Sequence, residues 1–123
     1  MRSDLDQLAG TWSIVSLELE GQPMPAGMFG GASITIRGDR FTTAMMGAVY
    51  QGMITVDPSQ NPRQFELHFT EGPEQGNRSL GIYELGENDW KICLTTTAKD
   101  RPAAFSTTRN SGTALESLKR KIS

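Results

Sequence analysis

The chain has 123 residues, with 12 Lys or Arg against 14 Asp or Glu and a formal net charge of −2. One domain's length excludes a two-domain enzyme carrying its own cofactor module, and the charge balance excludes the domain-wide basic field of a nucleic-acid binder. With 37% hydrophobic residues and 13 Gly the composition is that of an ordinary globular fold, and a chain this long buries roughly two-thirds of its unfolded surface without needing a disulfide or a structural metal.

Only the start invites a helix. Ser3 is placed to cap a short one, Leu5 and Leu8 share a face, and Gly10 ends it. From there the apolar period is two, broken by turn residues. Thr11 to Glu20 reads as a strand that switches phase: Trp12 and Ile14 share one face, Val15, Leu17 and Leu19 the other. A strand with apolar contacts on both faces, or one carrying a bulge, has this pattern. Gly21 to Gly31 is a Pro- and Gly-rich connection with room for one helical turn around Pro25 to Phe29. Ser33 to Arg37 and Arg40 to Met46 form strands linked by the two-residue turn Gly38-Asp39. After Gly47 comes the strand Ala48 to Val56, then a loop from Asp57 to Arg63.

Gln64 to Thr70 alternates most cleanly, with Phe65, Leu67 and Phe69 opposed to Gln64, Glu66, His68 and Thr70. The turn Gly72 to Gly76 leads to a strand from Arg78 to Leu85, the turn Gly86 to Asp89 to a strand from Trp90 to Thr96. A polar loop from Ala98 to Ser111 precedes the last strand, Thr113 to Lys121, with Leu115 and Leu118 as its apolar residues. About eight short strands with hairpin-length links and no alternating helices exclude a parallel sheet. The expected fold is a single all-β domain over 1–123: an antiparallel up-and-down barrel, which removes the exposed edges, with a two-sheet sandwich as the rival.

The chemistry-bearing residues are sparse. The single Cys93 permits no intramolecular disulfide, and with the single His68 it makes zinc improbable. His68 falls out of phase with the apolar face, so it is expected to point outward, away from any haem or general-base role. Cys93 reads as a small semi-buried strand residue. Glu71, Glu74, Glu84, Glu87 and Asp89 flank turns, where solvated charges belong. The spacing of Gly27 to Gly31 fits no phosphate loop. Lys119 to Lys121 is the only basic cluster and reads as a solvated strand end. No apolar run reaches the ~18 residues of a membrane span. Met1 to Gly10 has no apolar signal region, so the expected compartment is the cytoplasm, with export open if a leader was removed ahead of Met1.

Concave apolar space remains. In a closed barrel Ile34, Ile36, Phe41, Met45, Tyr50, Ile54, Phe65, Leu67, Phe69, Ile82, Ile92 and Leu94 point inward, joined by the polar Ser16 and Thr43. Few polar groups among apolar walls is the make-up of a ligand pocket. A filled barrel whose polar groups bond one another is the alternative. Met24, Met28, Met45, Met46 and Met53 cluster in the first half, as suits an adaptable mouth or ordinary core filling.

Gly10-Thr11-Trp12 after a short helix resembles the Gly-x-Trp opening of lipocalins. That resemblance implies that Trp12 closes the barrel base against a basic residue of the last strand, Arg120 or Lys119, as a cation–π contact. The chain lacks the lipocalin disulfide and long C-terminal helix, and the Arg-x-Tyr clamp of fatty-acid-binding proteins. A closer likeness spans nearly the whole chain. Leu8-Ala-Gly-Thr-Trp12, Phe69-Thr-Glu-Gly-Pro73, Gly81-Ile-Tyr-Glu-Leu85, Lys91-Ile-Cys-Leu94, Arg101-Pro102 with Phe105, and Leu118-Lys-Arg120 occur in this order. They resemble a small lipocalin-like (calycin-type) domain family expanded in planctomycete and related bacteria. Trp90 and His68 depart from that pattern. The resemblance implies a β-barrel and no particular activity.

The leading expectation is non-catalytic binding of a small apolar or amphipathic ligand, oriented by Ser16, Thr43, Tyr50 and Tyr83 and walled by Phe41, Phe65 and Phe69, with no cofactor or metal. The alternatives are a filled-barrel interaction module, meeting partners through Gly21–Gly31 and Ala98–Ser111, and a barrel-type isomerase or lyase. The last needs an inward acid or base, for which the strand phases offer only Tyr50, or His68 if it turns inward.

Overall fold

The computed structural model of the protein describes residues 3–45, 47–95, 100–109 and 112–121. The strand ends expected at Met46 and Thr96, the loop ends Ala98 and Ser111, and the Met28 side chain lie outside the described residues.

Helix α1 (Asp4–Leu8) begins where Ser3 accepts a hydrogen bond from the Asp6 amide at 3.2 Å. It buries Leu8 completely. Among the described residues nine strands follow: β1 (Gly10–Leu19), β2 (Gln22–Pro23), β3 (Ser33–Arg37), β4 (Arg40–Met45), β5 (Ala48–Asp57), β6 (Arg63–Glu71), β7 (Arg78–Leu85), β8 (Asp89–Thr95) and β9 (Thr113–Arg120). The short helix α2 (Ala26–Phe29) lies between β2 and β3 and contributes Phe29 to the core.

Each strand from β3 to β9 pairs antiparallel with the next, and β1 pairs with both β3 and β9. That double pairing closes eight strands into a barrel and excludes the two-sheet sandwich. The two-residue β2 is added to the far end of β1, through a turn in which Glu20 and Gly21 both have positive φ (47° and 85°). Two consecutive left-handed residues give the turn that matches strand twist.

The phase switch in β1 is a bulge. Its register with β9 shifts between Ile14 and Ser16, so Ile14 and Leu17 are both buried while Val15 is 48% exposed. One extra residue resets which side chains face inward. The expectation that Trp12 and Ile14 lie opposite Leu17 is corrected accordingly: all three belong to one core.

Two glycines permit close packing. A Cβ on Gly81 would sit 2.4 Å from the Phe65 ring, and one on Gly52 would sit 2.9 Å from the Phe41 ring and closer still to the His68 carbonyl. Each glycine lies opposite the aromatic residue it accommodates in the neighbouring strand.

The described part of the last loop is a strap on the outside of the barrel. The Arg101 guanidinium donates to Gln64 Oε1 at 2.6 Å, and the Thr107 hydroxyl donates to Glu18 at 2.6 Å while accepting from the Gly21 amide at 2.8 Å. Lys91 Nζ stands 5.2 Å from the Phe105 ring centre. Ile82 and Cys93, paired across β7 and β8, are buried yet stand apart from the interior cluster. Ile82 was expected inward; strand alternation places Tyr83 there instead, and Ile82 on the outer face.

Candidate functional site

The two ends of the barrel differ. At one end α1 acts as a plug. The Trp12 indole donates to the Leu8 carbonyl at 2.9 Å, and the Arg120 guanidinium carbon lies 4.3 Å from the Trp12 ring centre. The same guanidinium donates to the Ala9 and Gln7 carbonyls of the helix end (3.0 and 2.5 Å) and to the Glu87 carbonyl (3.3 Å). Trp90 packs edge-on to Trp12 at 5.6 Å. Tyr83 is 1% exposed and donates its hydroxyl to Asp4 at 2.6 Å. Burial first, and then that acidic partner, push the Tyr83 hydroxyl pKa well above its ordinary value.

The other end holds a cavity of about 200 Å³. Ile34, Met45, Leu67, Phe69, Ile92 and Leu94 form its apolar walls, and Thr43, Tyr50, Ser79, Glu74 and Glu116 supply its polar groups. Larger depressions lie on the outer surface, one of about 550 Å³ between β7, β8 and β9. They are open grooves along strand edges and turns, whereas the interior cavity sets apolar walls around the buried carboxyl of Glu116.

The expected site residues divide among four places. Thr43, Tyr50 and Phe69 line the cavity. Phe41 packs edge-to-face on Phe69 at 5.4 Å and supports it from behind, and Tyr50 meets Phe69 at 6.2 Å. Phe65 and Tyr83 pack on each other at 6.2 Å, deeper, toward the plugged end. Ser16 was expected inward; it is exposed, because it follows the bulge and takes the outward phase.

His68 points outward and half-exposed, hydrogen-bonded to Glu66. Cys93 is fully buried rather than semi-buried, because the strap covers the outer face there. Burial pushes its thiol pKa up, the opposite of what a reactive cysteine needs. Among the described residues no three His, Cys, Asp or Glu side chains group as a metal site, and no helix is long and apolar enough to cross a membrane.

Three cavity groups were missed by sequence reasoning: Ser79, Glu74 and, above all, Glu116. Glu116 sits in β9 between Leu17 of β1 and Ile92 of β8 and is 7% exposed. Its Oε1 is buried without a hydrogen-bond partner. Desolvation raises its pKa from 4.5 to about 7. A signal was present: an inward Arg120 requires Leu118, Glu116 and Ala114 inward by strand alternation.

No protein-family model, no curated protein and no solved structure matches the chain.

Proposed function

We propose that the protein binds a small apolar or amphipathic molecule in the open half of its barrel, as a lipocalin-like carrier or sensor rather than an enzyme. The observation that carries this reading is the cavity itself, with apolar walls and a few hydroxyls, set away from the end that α1 plugs. Small barrels accommodate one ligand in this way. A volume of about 200 Å³ falls below the ~300–1,000 Å³ of drug-sized sites, so the ligand is a compact one. The Gly10-x-Trp12 opening, the helical plug and the guanidinium over Trp12 support a lipocalin-like membership.

Native mass spectrometry of gently purified protein, followed by a denatured spectrum of the same sample, tests the reading. A resident mass released on denaturation, and missing from Phe69→Arg, supports it. A wild-type chain that stays bare with a small aromatic alcohol in excess contradicts it and favours the filled-barrel module.

One observation favours an enzyme as a second reading. Glu116 adds an inward acid or base to the Tyr50 that the strand phases offer, and a carboxyl with a pKa of about 7 suits proton transfer near neutral pH. Chemical conversion of the released ligand by fresh protein, lost in Glu116→Gln, separates this reading from simple binding.

A further inference from the structure

We propose that the ligand carries a cationic amine, and that Glu116 is the group that recognises it. This rests on the cavity being a binding site and adds the chemical class of its occupant.

A carboxyl oxygen buried without a hydrogen-bond partner is costly, and in native proteins such a group calls for an explanation. Glu116 Oε1 is one of these, on the wall of a cavity that opens to solvent. A donor arriving from a ligand would satisfy it.

The charge of the surroundings selects the kind of donor. From β5 the ionisable group facing the cavity is Tyr50, and from the β6–β7 turn it is Glu74. Leu17 of β1 and Ile92 of β8 flank Glu116 without charge. Among the described lining residues there is no Lys, Arg or His. Two carboxyls and no basic side chain among these described residues disfavour a fatty-acid or other anionic head group and favour an ammonium. The hydroxyls of Thr43, Tyr50 and Ser79 can accept its remaining protons. Apolar walls on the other sides fit a short hydrocarbon or single-ring body.

Proton linkage gives the interaction a signature. Burial holds much of Glu116 protonated near neutral pH. An ammonium beside it favours the ionised form, so binding displaces a proton from the carboxyl and lowers its pKa. Affinity for an amine therefore rises with pH through neutrality, until the amine itself loses its proton.

Three probes of matched size test the proposal: benzylamine, benzyl alcohol and benzoate, titrated into wild-type protein and Glu116→Gln. The side-chain carboxyl ¹³C shift of Glu116 is followed against pH with and without benzylamine. Benzylamine should bind wild type about tenfold or more tighter than benzyl alcohol, the range expected of a charge-assisted hydrogen bond, and benzoate weakest. Glu116→Gln should erase the amine's advantage over benzyl alcohol. The Glu116 pKa should fall on amine binding.

Equal affinities for amine and alcohol in wild type, or an amine preference that survives Glu116→Gln, overturn the amine proposal but leave the binding reading standing. Failure of all three probes overturns both. The wild-type comparison and the carboxyl titration need no variant, so a Glu116→Gln protein that folds poorly does not blunt the test.

Discussion

Arg120, near the end of the last strand, lies with its guanidinium 4.3 Å from the ring centre of Trp12, near the start of the first. The contact fastens the closing pair of strands, β1 and β9, and ties both to α1 through the Ala9 and Gln7 carbonyls. It makes one end of the barrel a floor.

Arg120→Ala should therefore destabilise the protein by about 2–3 kcal/mol, since it removes a cation–π contact and charged hydrogen bonds together. Arg120→Lys should recover little of this, because an ammonium cannot cover the indole and reach three carbonyls in one plane. Urea unfolding of the two variants measures the difference. Equal stability of Arg120→Lys and wild type would show that the planar fork is not what closes the floor.

Glu116 makes stability depend on pH in an unusual direction. The folded carboxyl keeps its proton up to about pH 7, against 4.5 for an unperturbed group. Between those values the folded state binds more protons than the unfolded, so this group's effect on stability becomes less favourable as pH rises and levels off above 7. The span amounts to about 3 kcal/mol. Glu116→Gln should lose this slope and exceed wild-type stability at pH 8. Parallel stability–pH curves for the two proteins would contradict the buried, uncompensated carboxyl.

Much of the fold was legible because antiparallel strands with one wet face write a period of two. Phe65, Leu67 and Phe69 against Glu66 and His68 show it best. Ring closure was legible too, because about eight hairpin-linked strands lose their exposed edges by closing; the pairing of Trp12 with a basic residue of the last strand was what the lipocalin resemblance implied. The rest was obscured by local physics. The bulge after Ile14 turned Ser16 outward. The strap over β7 and β8 buried Ile82 and Cys93 on the outer face, so apolar character on those strands no longer marked the inside. In β9 the eye falls on Leu115 and Leu118, which are three apart and cannot share a strand face. The true inward set, Ala114, Glu116 and Leu118, carries a charge in its centre, and a polar residue at a core position is what periodicity discounts.

Gly81→Ala should cost about 1–3 kcal/mol by overpacking, because its Cβ would meet the Phe65 ring at 2.4 Å and the Cys93 carbonyl at 2.7 Å. Pairing it with Phe65→Leu should return part of the loss. A thermal melt of the single and double variants reads this directly, and additive losses would refute the steric account.

Cys93 should resist thiol reagents in the folded protein. It is fully buried, its Sγ is directed at the Ser106 carbonyl at 3.6 Å, and burial raises its pKa. Labelling should proceed only as fast as the strap opens, and should accelerate sharply in denaturant. Immediate stoichiometric labelling of native protein would show that residues 100–109 do not cover it.

The central claim is that the open half of the barrel takes up a small molecule. Methyl-labelled NMR spectra recorded during a titration with benzyl alcohol test it most directly. The account predicts saturable shifts at Ile34, Met45, Leu67, Ile92 and Leu94, which line the cavity, with Leu8 and Leu118 near the plugged end unmoved. Shifts that never saturate, or that fall on the exposed Val15 and Val49 instead, would contradict it.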